Sequence, residues 1–163
     1  MVNVGNNDQL IAALEQHPNR QFHMKDLGCL KYFLGLEVER TEKGIFVCQR
    51  KYILDFLEET GMGACEPLRL PLNQNIKLLA DIRQPLPDPS RYRRMIGKLI
   101  YLTVTRSDII YSVQMLSQFM NKPTIEHLKP VTHVLRYLKH TPGQGIFFAK
   151  DSDTHMYAYC DYD

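Results

Sequence analysis

The residues of this chain whose types and spacing could do chemistry are basic. Arg91, Arg94 and Lys98 fall at positions i, i+3 and i+7, which places them on one face of a predicted helix. Guanidinium and ammonium groups arranged in this way are suited to binding phosphate groups. Apolar side chains of the same stretch recur at helical spacing and mark a separate, buried face: Tyr92, Met95, Ile96, Leu99, Leu102 and Thr103.

Charge is distributed unevenly along the 163 residues. Residues 1–90 contain 10 Lys or Arg and 12 Asp or Glu, residues 91–140 contain 9 and 2, and residues 141–163 contain 1 and 4. The basic block therefore coincides with the block of predicted helices, as expected of a surface that binds a phosphate backbone. A solvated helix face that only solubilises the protein gives the same pattern, so charge alone leaves both interpretations open.

Other kinds of site find little support in the sequence. The histidines form no His-Glu-x-x-His motif, the four cysteines form no Cys-x-x-Cys pair, and there is no Gly-rich phosphate loop or Gly-x-Ser-x-Gly motif. We therefore predict no metal site, no disulfide framework and no small-molecule substrate. The sequence contains no membrane-spanning run and no secretion signal, so we expect an intracellular protein of the nucleus, cytoplasm or mitochondrion.

The elements that must position the basic residues follow from hydrophobic periodicity. Alternation over residues 33–48, with a turn at Glu42-Lys43-Gly44, predicts a β-hairpin. Gly35 within its first strand suggests close approach by another backbone or by a ligand. An apolar stripe predicts a helix over residues 49–60, and the prolines of residues 63–90 indicate a connector.

The C-terminal half is predicted to be mainly helical. Two helices share residues 91–120, the second capped by Ser107 or Asp108. A third covers residues 124–140 and either begins near Pro130 or bends there, and the segments GIFFAK and MYAYCD predict two strands after it. The predicted fold class is α+β: a small antiparallel hairpin, a helical bundle and short C-terminal strands. The predicted regions are 1–62, 63–90, 91–141 and 142–163.

Four long phrases of this sequence carry a resemblance to a known family: FHMKDLGCLKYFLGLEVER, GIFVCQRKYILDFLEETGM, YRRMIGKLIYLTVTRSDIIYSVQMLSQFM and HVLRYLKHTPGQGI. They resemble the C-terminal part of the copia-type retrotransposon reverse transcriptase and similar plant mitochondrial proteins. The resemblance covers essentially the whole chain in collinear order. The four predicted regions resemble the end of the palm with the primer grip, a connector, the thumb or connection, and the start of an RNase H domain.

The resemblance also implies what this chain lacks. In that family a Tyr-Val-Asp-Asp motif holds the catalytic magnesium ions, and MVNVGNND at the start of this chain resembles the segment immediately after the motif. Asp8 and Asp26 do not lie in the context of a catalytic aspartate. Because in-line phosphoryl transfer needs carboxylates to hold the metal ions, we expect no polymerase activity and no bound cofactor in this chain alone. The intact enzyme of the family uses Mg²⁺.

The same resemblance implies two groups of contacts to an RNA–DNA hybrid or another duplex, bound independently of sequence. Apolar side chains and backbone at the start of the hairpin would resemble the primer grip: Phe33, Leu34, Gly35 and Leu36. Basic side chains of the thumb-like helices would contact phosphates without reading bases. These predicted phosphate contacts are Arg91, Arg94, Lys98, Arg106, Lys129 and Arg136.

The final phrase, YAYCDYD, resembles the first strand of the family's RNase H domain, in which Asp161 would bind metal only if a complete domain followed. We predict that the chain at most grips template–primer nucleic acid without catalysing synthesis. Two alternatives stay open at this point. The chain would otherwise be a non-functional or protein-interacting remnant, or a piece of an intact Pol polyprotein that gene annotation has divided.

Overall fold

The computed structural model describes residues 5, 7, 9–14, 28–72 and 84–152, and it confirms the predicted α+β fold class. Residues 9–14 are helical. The strands are β1 (Tyr32–Phe33), β2 (Leu36–Thr41), β3 (Gly44–Cys48) and β4 (Gly145–Ala149). The other helices are α1 (Arg50–Glu59), α2 (Pro89–Leu102), α3 (Ile110–Ser117) and α4 (Ile125–His140), with a 3₁₀ turn over Ser107–Ile109.

Some predictions fall outside the described residues. They concern the strand expected in residues 1–4, the link over residues 22–27, part of the connector at residues 73–83 and the last predicted strand at residues 156–161. The acidic residues Asp8, Asp26 and Asp161 also lie outside the described part of the chain.

The four strands form one antiparallel sheet in the order β1-β2-β3-β4. The predicted hairpin is confirmed as β2 and β3, joined by a two-residue loop of Glu42 and Lys43. The first predicted strand is interrupted, however, because Leu34 and Gly35 form a turn between β1 and β2. Gly35 therefore lies in a turn and not, as predicted, inside a strand.

Strand β4 pairs with β3, so a segment of the predicted region 142–163 completes the sheet of the predicted region 1–62. Two glycines permit this pairing, since a Cβ atom at Gly44 would overlap the carbonyl oxygen of Phe148, and one at Gly145 that of Val47. The described part of the chain thus contains one sheet instead of two separate sets of strands. The bounds of the four predicted regions themselves stay predictions.

Helices α1 to α4 bury one apolar core, and the apolar stripe predicted for each long helix faces it. The 3₁₀ turn and α3 contribute a shorter set of side chains, and Ile110, at the start of α3, is 47% exposed. Burying these side chains is the main force that holds the helices together. The core residues are Ile53, Phe56, Leu57, Tyr92, Met95, Ile96, Leu99, Leu102, Ile109, Val113, Leu116, Val131, Val134, Leu135, Tyr137 and Leu138.

Local capping fixes the ends of the two longest helices. The side chain of Asp88 accepts two backbone hydrogen bonds from the first turn of α2, and Pro89 occupies the first helical position, where it loses no hydrogen bond. At the start of α4, the backbone N–H of Thr124 donates to Nδ1 of His127 at 3.0 Å, as part of a capping box. Because α4 continues through Pro130, the alternative in which this helix begins near that residue is wrong.

Candidate nucleic-acid interface

Helices α1 and α2 meet along a line of aromatic and charged side chains. At one end, the rings of Tyr52 and Tyr101 pack edge to face, with centroids 5.2 Å apart and planes inclined at 65°. Further along, the ammonium group of Lys98 lies over the ring of Phe56, 5.2 Å from its centroid. Residue numbers rise along α1 as they fall along α2, so the two helices are antiparallel here. We call this line the α1–α2 seam; its members are Tyr52, Phe56, Glu59, Arg94, Lys98 and Tyr101.

Ion pairs close the other end of the α1–α2 seam. The carboxylate of Glu59 accepts a hydrogen bond from the ammonium group of Lys98, and its Oε1 lies 4.0 Å from Nε of Arg94. Because the side chains of Glu59 and Arg94 are 48% and 62% exposed, water and salt screen their attraction, and such a pair contributes only about 0–1 kcal/mol. The predicted basic face is therefore present on α2, but Glu59 engages two of its three cations.

Arg91 is the third cation of that face and lies one turn before Arg94. It is exposed, and its side chain has no ion pair or hydrogen bond among the described residues. A phosphate that approaches this end of α2 thus meets one unpaired guanidinium group and, behind it, two cations that share a carboxylate.

The tyrosine end of the α1–α2 seam supports the turn between β1 and β2. The φ angles of Leu34 and Gly35 are 48° and 79°, as in a type I′ hairpin turn. The hydroxyl of Tyr101 donates a hydrogen bond to the carbonyl oxygen of Leu34. Ring atoms of Tyr52 and Tyr101 lie 3.4 and 3.5 Å from the position that a Cβ atom of Gly35 would take. Aromatic side chains therefore approach this glycine, where a backbone or a ligand was predicted.

The four residues predicted to resemble a primer grip form one end of this hairpin. Phe33 pairs with Leu36 across the turn, and the side chains of Phe33 and Leu34 are 39% and 71% exposed. Tyr52 and Glu59 are seven residues apart on α1, so the turn and the ion pairs are separated by about 10 Å along the helix. The structure therefore places the predicted grip residues and the basic face of α2 at the two ends of one seam.

Arg106 does not belong to this surface, because its side chain is fully buried. Its guanidinium group donates hydrogen bonds to the carboxylate of Asp108 and to the carbonyl and hydroxyl oxygens of Thr141, at 2.7 to 3.0 Å. The hydroxyl of Tyr137 donates to the same carboxylate at 2.6 Å. The predicted phosphate contact at Arg106 is therefore wrong for this structure. Asp108 binds Arg106 instead of capping a helix, and a 3₁₀ turn over Ser107–Ile109 precedes α3.

The remaining predicted phosphate contacts lie on α4. Lys129 is exposed and pairs with Glu126 of the same helix at 2.8 Å. Nε of Arg136 donates to the backbone carbonyl of Glu66 at 2.6 Å, and Lys139 donates to two carbonyls of the same segment. Arg136 thus links α4 to the segment that follows α1. Within the described residues, no contact joins Lys129 or Arg136 to the α1–α2 seam.

Four members of the α1–α2 seam were not predicted as site residues: Tyr52, Phe56, Glu59 and Tyr101. The signal was present in the spacing, because Tyr52 and Glu59 are seven residues apart on α1, and Arg94 and Tyr101 are seven apart on α2. Because the two spacings are equal and the helices are antiparallel, the tyrosine rings can pack together at one end while Glu59 pairs with Arg94 at the other. Burial raises the pKa of the Tyr52 hydroxyl, and the charges of Tyr101 and Glu59 add to that rise.

Comparison with known proteins shows which proteins this chain is similar to. A family model described as reverse transcriptase (RNA-dependent DNA polymerase) matches residues 1–74. A retrovirus-related Pol polyprotein from transposon RE1 of Arabidopsis thaliana is 42% identical over 159 residues, 98% of this chain and 11% of the polyprotein. A Pol polyprotein of Nicotiana tabacum is 34% identical over 172 residues, 100% of this chain and 13% of its own length. An uncharacterized mitochondrial protein of Arabidopsis thaliana is 38% identical over 160 residues, covering 66% of that protein. No solved structure matches the chain.

Residues 1–74 of the chain are therefore similar to reverse transcriptases. More particularly, nearly the whole chain is similar to a segment of copia-type Pol polyproteins, which confirms the resemblance predicted from the sequence. The chain spans 11% of the length of the two Arabidopsis Pol polyproteins that it matches.

The described residues do not fit the magnesium site that this family implies. No group of three or more His, Cys, Asp or Glu side chains in the described part of the chain is arranged to hold a metal ion. No step of the function proposed below therefore involves a metal. Among the helices that the structure describes, none is long and apolar enough to cross a membrane.

Proposed function

We propose that this chain binds the backbone of template–primer nucleic acid, an RNA–DNA hybrid or another duplex, without catalysing synthesis. The observation that carries the proposal is the exposed face of α2, on which Arg91, Arg94 and Lys98 lie at one end of the α1–α2 seam. The similarity of residues 1–74 to reverse transcriptases supports the class of partner. The proposed lack of catalysis is supported by the sequence, in which the phrase Tyr-Val-Asp-Asp does not occur.

The dimensions of the α1–α2 seam suit a nucleic-acid backbone. One strand carries a phosphate about every 3.4 Å along the duplex axis, so about 10 Å of seam corresponds to about three phosphates. The cations would contact phosphates at one end, while Leu34 presents an exposed apolar side chain at the other. Phosphate contacts carry no sequence information, so binding is expected to be independent of sequence.

The proposal is tested by measuring binding of a fluorescently labelled RNA–DNA hybrid to the full chain between about 50 and 200 mM salt. The wild-type chain is compared with a seam variant, R91A/R94A/K98A. We expect the affinity of the wild type to fall steeply with salt, because binding releases counterions from the phosphates. The slope of log affinity against log salt should become shallower in the seam variant by about 0.9 for each phosphate contact that is lost.

A matched control separates local contacts from overall charge. The variant R40A/K43A/K150A also removes three positive charges, but these residues are exposed at the end of the sheet remote from the Leu34–Gly35 turn. We expect this control to change the slope less than the seam variant does. Equal losses in both variants, or no binding at low salt by a folded wild-type chain, would contradict the proposal and favour a remnant without a nucleic-acid role.

A further inference from the structure

We infer that Glu59 competes with phosphate for Arg94 and Lys98 and thereby sets the affinity of the α1–α2 seam for nucleic acid. This inference rests on the function proposed above and adds a regulatory residue to the same site. An acidic residue that pairs with a neighbouring helix thereby also lowers the affinity for nucleic acid as long as its carboxylate binds the two cations.

The geometry of the carboxylate resembles that of a bound phosphate. Glu59 directs Oε1 toward the guanidinium group of Arg94 and Oε2 toward the ammonium group of Lys98, so each oxygen has its own cation. An ionised carboxylate only accepts hydrogen bonds, as phosphate oxygens do, and both are bound well by these two kinds of cation. Glu59 and a phosphate therefore require the same donors.

The carboxylate is also placed where it can be displaced. Its side chain is 48% exposed, so an incoming phosphate can reach it. Glu59 is the last residue of α1, and the partial negative charge at the C-terminal end of a helix disfavours a carboxylate there. Both the exposure of Glu59 and its position at the C-terminal end of α1 therefore weaken its ion pairs.

The cations would stay in place when the carboxylate leaves. Lys98 is 28% exposed and packs over the ring of Phe56, which continues to hold its ammonium group beside α1. Arg91, which has no ion pair or hydrogen bond within the described part of the chain, would make the first contact with a phosphate. Exchange of carboxylate for phosphate then engages Arg94 and Lys98 as well.

The test is the variant E59Q, which keeps the size of the side chain and removes its charge. We expect its affinity for a labelled RNA–DNA hybrid at low salt to rise at least about fivefold, the effect of removing one unit charge about 4 Å from a phosphate in a medium like water. The slope of log affinity against log salt should steepen by about 0.9 for each cation that becomes available. Glu59→Asp keeps the charge and is expected to restore affinity toward that of the wild type.

Glu58 supplies the matched control, because it is exposed, adjacent in sequence and without an ion pair in the described structure. E58Q changes the net charge of the chain by the same amount, and circular dichroism verifies that each variant is folded. A larger gain of affinity in E59Q than in E58Q supports the inference. Equal gains overturn it while leaving the proposed function standing, since the wild type still binds. If no folded variant binds the hybrid, the proposed function fails and the inference fails with it.

Discussion

Burying a guanidinium group destabilises a protein unless its charge and its N–H groups find partners, and Arg106 meets that condition. Asp108 neutralises the charge, and Thr141, at the end of α4, accepts two further hydrogen bonds from the guanidinium group. Among the described residues, no buried side-chain nitrogen or oxygen lacks a hydrogen-bond partner. The Arg106–Asp108 pair therefore joins the segment before α3 to the end of α4.

Replacing Asp108 by Asn is expected to lower the free energy of unfolding by about 3 kcal/mol, because a fully buried guanidinium group then loses its counter-charge. Urea unfolding followed by circular dichroism measures the difference. Asp151, which is exposed, provides the control, and D151N should change stability by no more than about 0.5 kcal/mol. A loss in D108N no larger than in D151N would show that the buried pair does not stabilise the fold.

The same pair predicts how stability depends on pH. Burial raises the pKa of Asp108, but hydrogen bonds from Arg106 and Tyr137, together with the charge of Arg106, outweigh that effect and leave the pKa below its ordinary value. The stabilisation is therefore complete above the pKa of an unfolded aspartate, about 3.9, and is lost as the pH falls through the lower pKa of the folded protein. The stability difference between wild type and D108N should shrink from neutral pH to about pH 3. A difference that stays constant would contradict this assignment.

Leu34 is the only described residue other than glycine with a positive φ angle, 48°. A leucine in this conformation costs about 1–2 kcal/mol, and its side chain, which is 71% exposed, gains little from packing. L34N would create Asn-Gly, the preferred pair for a type I′ turn, and should raise the free energy of unfolding by about 1 kcal/mol. Thermal or urea unfolding measures the change. L34A lacks the short polar side chain with which Asn hydrogen-bonds locally at a positive φ angle, and it should give no gain. Equal stabilisation by both variants would contradict the explanation.

At the scale of elements, the pairing of β3 with β4 depends on close backbone contact at Gly145. A methyl group there would overlap the carbonyl oxygen of Val47, so G145A is expected to lower the free energy of unfolding by about 1–3 kcal/mol. Gly143 is the matched control, since nothing lies within 4 Å of the position that its Cβ atom would take. Unfolding curves should show little change in G143A. Similar stability of the two variants would mean that β4 does not pair as described.

The sequence was sufficient to predict elements whose signal is local. The apolar stripes of α1, α2 and α4 and the loop of the β2–β3 hairpin were found from periodicity and turn residues alone. The pairing of β4 with β3 could not be found in this way, because the two strands are far apart in the chain and neither has a local signal that selects the other. The turn at Leu34 was missed for a different reason: a leucine is an unfavourable residue for it, so its position depends on contacts with Tyr52 and Tyr101.

For the molecule as a whole, the count of charges located the basic helical block but could not show which cations are available. Of the six predicted phosphate contacts, Arg106 is buried, Lys129 and Arg136 have partners on or near α4, and Glu59 engages two more. The partners of these cations could not be predicted from a count of charges, because the tertiary fold brings an acidic residue of one helix beside a basic residue of another. The α1–α2 seam is therefore a result of the tertiary structure, although each helix was predicted correctly.

The measurement that tests this account most directly is a titration of the isotopically labelled chain with an RNA–DNA hybrid, followed by the backbone amide signals in two-dimensional NMR spectra. We predict that the largest shifts lie at residues 91–98 and at the Leu34–Gly35 turn, and that they diminish as salt is added. Shifts concentrated at the remote end of the sheet, around residues 40–43 and 150, would contradict the assignment of the nucleic-acid interface to the α1–α2 seam.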